Sequence, residues 1–310
     1  MKRAVMLIIL VAATVGCASI EIASGAAPEP EIVTSDVDRF YALYDGVRGA
    51  PDAAALQAYI DGGSPGLQTL AEKRDVSGER IAQAIKARPE LYKKARECAQ
   101  ALPAAKQRLK GALEKLFDLY PEARAPAVTI AVGRGRPVGI GYPDTGVQIS
   151  LEALCAADFL NPDVEDRFVY VIAHEYIHVQ QSPELSMSVD GESPTVLDVS
   201  LSEGIAEFVG ELISGDVAYG SLRGNTAGQE LEIETAFLAN KDSTDLSDWV
   251  YNASSEKPGD LGYWVGYRIA KAHYQNARDK SQAVTDMLEM TDPSAFLAAS
   301  GWEPGISFDD

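Results

Sequence analysis

The feature that most constrains this chain is the run His174-Glu175-Tyr176-Ile177-His178. Residues four apart share one face of a helix, so on a helix the two imidazoles can bind one metal ion from the same side. Glu175 lies one step round that helix and can reach a metal-bound water as a general base. The run therefore predicts a zinc site, provided that its surroundings are helical.

The sequence around this run favours a helix from Asp163 to Gln181. Asp163 can cap the first turn, and Pro183 follows the last one. Apolar residues recur between them at three- and four-residue steps, namely Phe168, Val171, Ile172 and Val179. We expect this motif helix to pack against a core.

A zinc ion held by two histidines needs a third protein ligand and one open position for water. The metzincin pattern does not supply it, because Gln181 and Glu184 stand where that pattern requires Gly and His. The chain contains 3 histidines, so the remaining one is His273. The third ligand is better sought among the carboxylates downstream.

A second amphipathic helix is predicted to end at Gly215, and one of its faces stacks Glu203, Glu207 and Glu211. Carboxylates at four-residue spacing repel one another unless water or a cation neutralises them. Glu203 is the candidate third ligand. The alternative is that Ser200 and Glu203 form a capping box while the other two glutamates face solvent.

Four segments resemble a family of predicted zinc-dependent bacterial proteases of unknown function that look like gluzincins: H-E-Y-I-H at 174–178, E-G-I-A-E-F at 203–208, 262–267 and 59–67. The resemblance covers most of the chain beyond about residue 35. It implies zinc on His174, His178 and Glu203, with Glu175 as the base. It further implies that Glu207 orients the first histidine, although Glu stands here in place of the shorter Asp.

Hydrolysis of a peptide bond also needs a donor that stabilises the tetrahedral oxyanion. Tyr263, Tyr267 and His273 lie on a third predicted helix, 262–276, and each can donate. We favour Tyr263 for this role and place His273 second. The alternative is an aromatic stripe packed partly into the core. Gly262 and Gly266 predict a close backbone approach on the same helix.

The chain of 310 residues is 46% hydrophobic and can bury one sizeable core. Helices are predicted near 36–47, 52–60, 79–87, 90–101 and 104–119, and strands at 127–132, 138–142 and 147–149. We interpret the Gly-Arg-Gly-Arg run at 133–136 as a hairpin turn. The fold class is therefore mainly α with a small β-sheet (α+β), as in a gluzincin-like zinc metallopeptidase domain. The resemblance implies that an edge strand beside the motif helix holds extended substrate, and a purely structural hairpin is the alternative.

The first residues indicate export. Lys2-Arg3 precedes an apolar run, and Cys17 ends a lipobox-like sequence, so residues 1–17 are predicted to be a signal peptide and Cys17 the site of lipid attachment. Residues 18–34 then form a flexible tether and 35–310 a single metallopeptidase domain. We expect a lipid-anchored protein of the bacterial envelope, facing the periplasm or the exterior. The alternative is a soluble periplasmic or secreted protein.

The formal charge of −19 opposes binding to nucleic acid or to anionic membranes, so membrane contact is expected only through the lipid on Cys17. Cys98 and Cys155 can form a disulfide in an oxidising compartment, or Cys98 can be a small core residue. We predict an exported Zn²⁺ metallopeptidase that cleaves peptide or protein substrates with water activated by Glu175. The alternative is a catalytically inactive envelope lipoprotein that binds metal or protein. Oligomeric state is not determined by these patterns.

Overall fold

The computed structural model describes residues 29–186, 193–252 and 259–308. The predicted signal peptide with Cys17, and the greater part of the predicted tether, lie outside these ranges. Within them, no helix is both long enough and apolar enough to cross a bilayer.

Six helices form the N-terminal part of the fold. Three of them begin at a polar cap, because the side chains of Asp52, Ser64 and Ser77 each accept a hydrogen bond from the backbone N–H three residues on. Their bounds are α1 Ser35–Gly46, α2 Ala53–Asp61, α3 Pro65–Arg74, α4 Gly78–Ala87, α5 Pro89–Cys98 and α6 Leu102–Leu119. All were expected from the sequence except α3, whose cap Ser64 follows a Gly-Gly break that reads as a loop.

The fold contains a four-stranded sheet in the order β1-β2-β4-β3, of which β1 precedes the six helices and the other three strands follow them. Its strands are β1 Ile32–Val33, β2 Val128–Ala131, β3 Gly139–Tyr142 and β4 Gly146–Ser150. The strand β2 is parallel to β1 and β4, while β3 is antiparallel to β4 and lies at the edge. The three later strands confirm the predicted sheet. The predicted hairpin turn at 133–136 is wrong, because β4 lies between β2 and β3 and this loop joins two strands that do not pair. Ile32 and Val33, which the sequence assigns to the tether, form β1.

Two helices cover opposite faces of this sheet. Thr129 is in register with Gln148, which is in register with Ile140, so the three share one face of the sheet. On that face a Cβ on Gly66 of α3 would lie 2.0 Å from Thr129 Oγ1. Gly141 belongs to the other face, where an added Cβ would lie 2.4 Å from the carbonyl oxygen of Glu175. The motif helix therefore packs directly on the edge strand.

The C-terminal part is helical. Its helices are α7 Leu151–Ala156, α8 Val164–Gln180, α9 Pro183–Ser186, α10 Val196–Ser214, α11 Ser221–Thr226, α12 Glu230–Asn240, α13 Leu261–Asn276, α14 Lys280–Leu288 and α15 Pro293–Ala299. The helix α10 lies between α8 and α13. It contacts α13 so closely that a Cβ on Gly266 would lie 1.7 Å from the carbonyl oxygen of Ser200. This contact confirms the predicted close approach at Gly266.

The helix ends test the capping predictions. Asp163 caps α8 by accepting from the N–H of Asp166, as expected. The capping-box reading of Glu203 is wrong, because α10 begins at Val196 and its capping box is formed by Thr195 and Asp198. Glu203 therefore lies in the middle of a helix and is free to act as a ligand.

Cys98 at the end of α5 and Cys155 in α7 form a disulfide, with Cα atoms 6.1 Å apart. The bond links the N-terminal helices to the segment that precedes the motif helix. Of the two options left open by the sequence, the structure contains the disulfide.

Candidate metal centre

The motif helix α8 carries His174 and His178 on one face. Their Nε2 atoms are 3.1 Å apart, and the rings meet edge to face with centroids 4.8 Å apart. His174 is buried and His178 is partly buried. The two rings therefore point at a single position, as four-residue helical spacing requires.

Helix α10 brings Glu203 to the same position. Its Oε2 lies 3.2 Å from His178 Nε2 and 3.3 Å from His174 Nε2. Burial works to raise the pKa of Glu203, but the two adjacent imidazoles hold that pKa well below its ordinary value. Glu203 is therefore a carboxylate, the form that binds metal.

These three donors fit a zinc ion. All of their ligand atoms lie within 4.8 Å of one another. Ligand atoms roughly 2.0 to 2.2 Å from a tetrahedral ion are separated from one another by roughly 3.3 Å. The observed separations of 3.1 to 3.3 Å match that value. Two imidazoles and one carboxylate are also the donor set of open, catalytic zinc sites.

Gln181 orients His178. Its side-chain oxygen lies 2.8 Å from His178 Nδ1, and its amide nitrogen donates to the carbonyl of Ser202 at 2.7 Å. The Nδ1 atom is thus the proton-bearing nitrogen, and Nε2 is left with a lone pair for metal. In the sequence analysis Gln181 serves only to exclude the metzincin pattern, although its position three residues after His178 is the signal that points to this contact.

Glu207 lies behind His174, one turn of α10 beyond Glu203. Its Oε1 is 3.1 Å from His174 Nδ1, which is ion-pair distance, although the pair does not meet hydrogen-bond geometry. Burial works to lower the pKa of His174, but Glu207 and Glu203 together raise it well above its ordinary value. The structure thus brings Glu207 to the ring nitrogen that faces away from the other ligands.

Glu175 faces the edge strand β3. A Cβ on Gly139 would lie only 2.7 Å from Glu175 Oε1, so glycine at 139 leaves room for this carboxylate. Burial raises the pKa of Glu175, and the two histidines oppose that rise. A carboxylate with a raised pKa holds a proton more readily, which suits a general base.

A cleft of about 620 Å³ opens over the three donors. Its walls come from β3, α8, α10 and the start of α13, and a side chain from the end of α3 joins them. The lining residues are Arg74, Gly139, Ile140, Gly141, Tyr142, Pro143, His174, Glu175, His178, Gln181, Pro183, Leu185, Val199, Ser202, Glu203, Tyr251 and Tyr263. The cleft is large enough for several residues of a peptide.

Two tyrosines approach the donors across this cleft. The Tyr263 ring lies parallel to the His174 ring, with centroids 6.4 Å apart. Burial raises the pKa of the Tyr263 hydroxyl well above its ordinary value. The hydroxyl of Tyr251 donates to Glu203 Oε1 at 3.1 Å. Tyr251 follows a turn and carries no periodic signal, so the sequence does not reveal it.

A family model described as "Predicted Zn-dependent protease (DUF2268)" matches residues 119–294. The chain belongs to this family of predicted zinc-dependent proteases. The matched segment contains the three donors and Glu175, and it agrees with the resemblance read from the sequence. No curated protein and no solved structure matches the chain.

Two other candidate donors of this predicted zinc-dependent protease lie away from the cleft. The Tyr267 hydroxyl donates to Glu211 Oε2 at 2.6 Å. His273 packs against the Phe296 ring at 4.7 Å, and its Nε2 lies 3.5 Å from Asp286 Oδ2. His273 is ten residues beyond Tyr263, which is roughly 15 Å along a helix, so it cannot reach the same site.

Proposed function

We propose that this protein is an exported zinc metallopeptidase that hydrolyses peptide bonds in the cleft over His174, His178 and Glu203. The observation that carries the proposal is the convergence of these three donors, with Glu175 beside them, in a cleft bordered by an edge strand. Zinc bound there would act as a Lewis acid and would lower the pKa of water to near neutrality.

The edge strand β3 supports a peptide substrate. Ser150 N–H donates to the carbonyl of Val138, so residues 138, 140 and 142 direct their backbone polar groups towards β4. The N–H and C=O groups of Gly139 and Gly141 therefore point outwards from the edge of the sheet, and both residues line the cleft. An extended peptide can pair with these groups as an added strand, and the absence of side chains lets it approach closely.

The protein's own groups then have distinct roles. Glu175 takes the proton from the attacking water and returns it to the departing amine, which its raised pKa favours. A tyrosine hydroxyl is protonated at neutral pH, and burial raises the pKa of Tyr263 further, so its hydroxyl can donate to the oxyanion. Gln181 and Glu207 keep the two imidazoles oriented towards the ion.

The test is the Glu175→Gln variant in the zinc-loaded protein. Loss of the base should lower cleavage of a peptide library about 100- to 10,000-fold and leave bound zinc unchanged, since Glu175 is not a ligand. The matched control is Glu165→Gln, the same change at the half-buried start of the same helix, where the carboxylate pairs with Arg108 rather than facing the donors; it should retain activity. Full activity in Glu175→Gln would refute the mechanism. Zinc binding by the wild type without any cleavage would favour the inactive metal-binding protein instead.

Export to the envelope is part of the proposal. The Cys98–Cys155 disulfide supports it, because such bonds persist in oxidising compartments. Fractionation of cells that produce the full chain tests it together with lipid attachment. We expect the protein in the membrane pellet and Cys17→Ser in the soluble fraction, whereas a wild-type protein that is wholly soluble would contradict the lipid anchor.

A further inference from the structure

A second pocket, of about 600 Å³, lies where α4 meets the loop between β2 and β3. Four of its lining residues are arginines, although the chain as a whole carries a net charge of −19. We call it the arginine pocket and define it by Arg80, Arg88, Arg134 and Arg136. It shares no lining residue with the cleft over the metal donors.

Backbone carbonyls hold two of these side chains in place. Arg88 Nη2 donates to the carbonyl of Arg134 at 2.9 Å, and Arg134 Nη2 donates to the carbonyl of Arg74 at 2.8 Å. A carbonyl is neutral, so it orients a guanidinium without cancelling its charge. Gly135 has φ +83°, and a Cβ there would lie 2.2 Å from Arg88 Nη2, so glycine is needed for this packing.

The positive charge is only partly balanced. Arg80 forms an ion pair with Asp75, whereas Arg88, Arg134 and Arg136 have no carboxylate within ion-pair distance in the part of the chain that the structure describes. Glu152 is buried beneath the loop, where it accepts hydrogen bonds from the N–H groups of Gly133 and Gly135. Among the described residues, three of the four guanidinium groups therefore have no carboxylate at ion-pair distance.

Crowding of like charges is visible within the arginine pocket. Burial lowers the pKa of Arg134, and the neighbouring guanidinium groups of Arg136 and Arg80 lower it further. A bound anion would relieve this repulsion. The arginine pocket is thus preorganised for a ligand that carries more than one negative oxygen.

We propose that the arginine pocket binds a phosphate group. The planar fork of a guanidinium matches two phosphate oxygens, and several forks around one cavity suit phosphate better than a single carboxylate. The group can be free inorganic phosphate or the headgroup of an anionic phospholipid. This proposal does not rest on the proposed hydrolysis, because the arginine pocket and the cleft over the metal donors share no lining residue.

The test measures binding of both phosphate sources by the full chain. The chain carries Cys17→Ser in every arm, so that no acyl group can attach. Isothermal titration with inorganic phosphate reports the free anion. Co-sedimentation with phosphatidylglycerol vesicles, against phosphatidylcholine vesicles, reports the headgroup. Wild type should show saturable binding in at least one arm, and Arg136→Gln should weaken it about tenfold or more.

The control is Arg278→Gln, which removes the same charge from an exposed arginine outside the pocket. It should bind as wild type does. A double variant, Arg80→Gln/Arg136→Gln, is measured as well, in case one substitution alone has too small an effect. Circular dichroism checks that each variant is folded.

Loss of binding confined to the phosphate arm identifies a free anion, and loss of binding confined to the phosphatidylglycerol arm identifies a headgroup. Two results overturn the proposal: no saturable binding in either arm, or equal weakening by Arg278→Gln and Arg136→Gln.

Discussion

At the scale of single residues, the metal centre depends on what lies behind each histidine. His178 is held by a neutral amide, Gln181, and His174 lies against a carboxylate, Glu207. Both partners face Nδ1, so both rings present Nε2 to the ion. Such partners select the tautomer and the ring orientation, and a carboxylate also raises the basicity of its imidazole.

Gln181→Leu should weaken zinc binding while the fold remains intact. The variant keeps a side chain of similar size but leaves His178 Nδ1 without its acceptor at 2.8 Å. Zinc affinity, measured by competition with a chelator, should fall roughly 10- to 100-fold. Gln282→Leu on the exposed side of α14 is the control and should bind zinc as wild type does. Unchanged affinity in Gln181→Leu would show that His178 needs no support.

Tyr263→Phe should lower turnover without loss of zinc. The change removes a protonated hydroxyl from the cleft, so kcat should fall roughly 100- to 1,000-fold if that hydroxyl stabilises the oxyanion. Tyr267→Phe is a matched control on the same helix, because its hydroxyl bonds Glu211 away from the cleft. Wild-type turnover in Tyr263→Phe would exclude Tyr263 from the chemistry.

At the scale of elements, the site depends on how closely α10 and α13 cross. Gly204 directly follows the ligand Glu203, and a Cβ there would lie 2.1 Å from the backbone carbon of Gly266. The two helix backbones can approach this closely because neither glycine carries a side chain. The same crossing places Tyr263, less than one turn before Gly266, over the metal centre.

Gly266→Ala should therefore destabilise the protein and disturb the metal centre. Its added methyl would lie 1.7 Å from the carbonyl of Ser200, so the helices must move apart. The free energy of unfolding in urea should fall by about 1 to 3 kcal/mol or more. Gly111→Ala in α6 is the control, because nothing lies within 4 Å of its added methyl. It should raise stability by up to about 1 kcal/mol, and equal effects of the two variants would contradict the close crossing.

At the scale of the whole molecule, the helices before residue 119 are joined to the family segment rather than appended to it. The strand β1 adds to the sheet beside β2, and Arg74 at the end of α3 lines the cleft. The disulfide between Cys98 and Cys155 links α5 to α7. The two parts therefore form one core, and the N-terminal part supplies a wall of the cleft.

Replacement of both cysteines by alanine should lower global stability. The disulfide closes a loop with a sequence separation of 57 residues, and chain entropy for a loop of that length corresponds to roughly 4 kcal/mol. The free energy of unfolding of Cys98→Ala/Cys155→Ala, measured in guanidinium, should fall by about 2 to 5 kcal/mol. A reducing agent should lower wild-type stability to a similar extent and leave the double variant unchanged. No effect of the reducing agent on wild type would mean that the two sulfurs are not bonded.

The sequence by itself determined those features that depend on local periodicity. The spacing of His174 and His178 requires that both rings share a face once the segment is helical, and apolar residues at helical steps make it so. The three later strands likewise follow from short β-branched runs between turn residues. The sequence also names Glu203 as the candidate third ligand, but it leaves a capping role open as the alternative, because both readings rest on local patterns.

Only the tertiary structure decided which distant groups meet. The packing of α10 on α8 turns Glu203 into a neighbour of both histidines, and it supplies the Ser202 carbonyl that fixes the Gln181 amide beside His178. The arginine pocket has the same origin, since its four side chains come from two segments that are far apart in sequence. A contact between distant segments depends on how elements pack, and packing is a property of the whole core rather than of any one stretch of sequence.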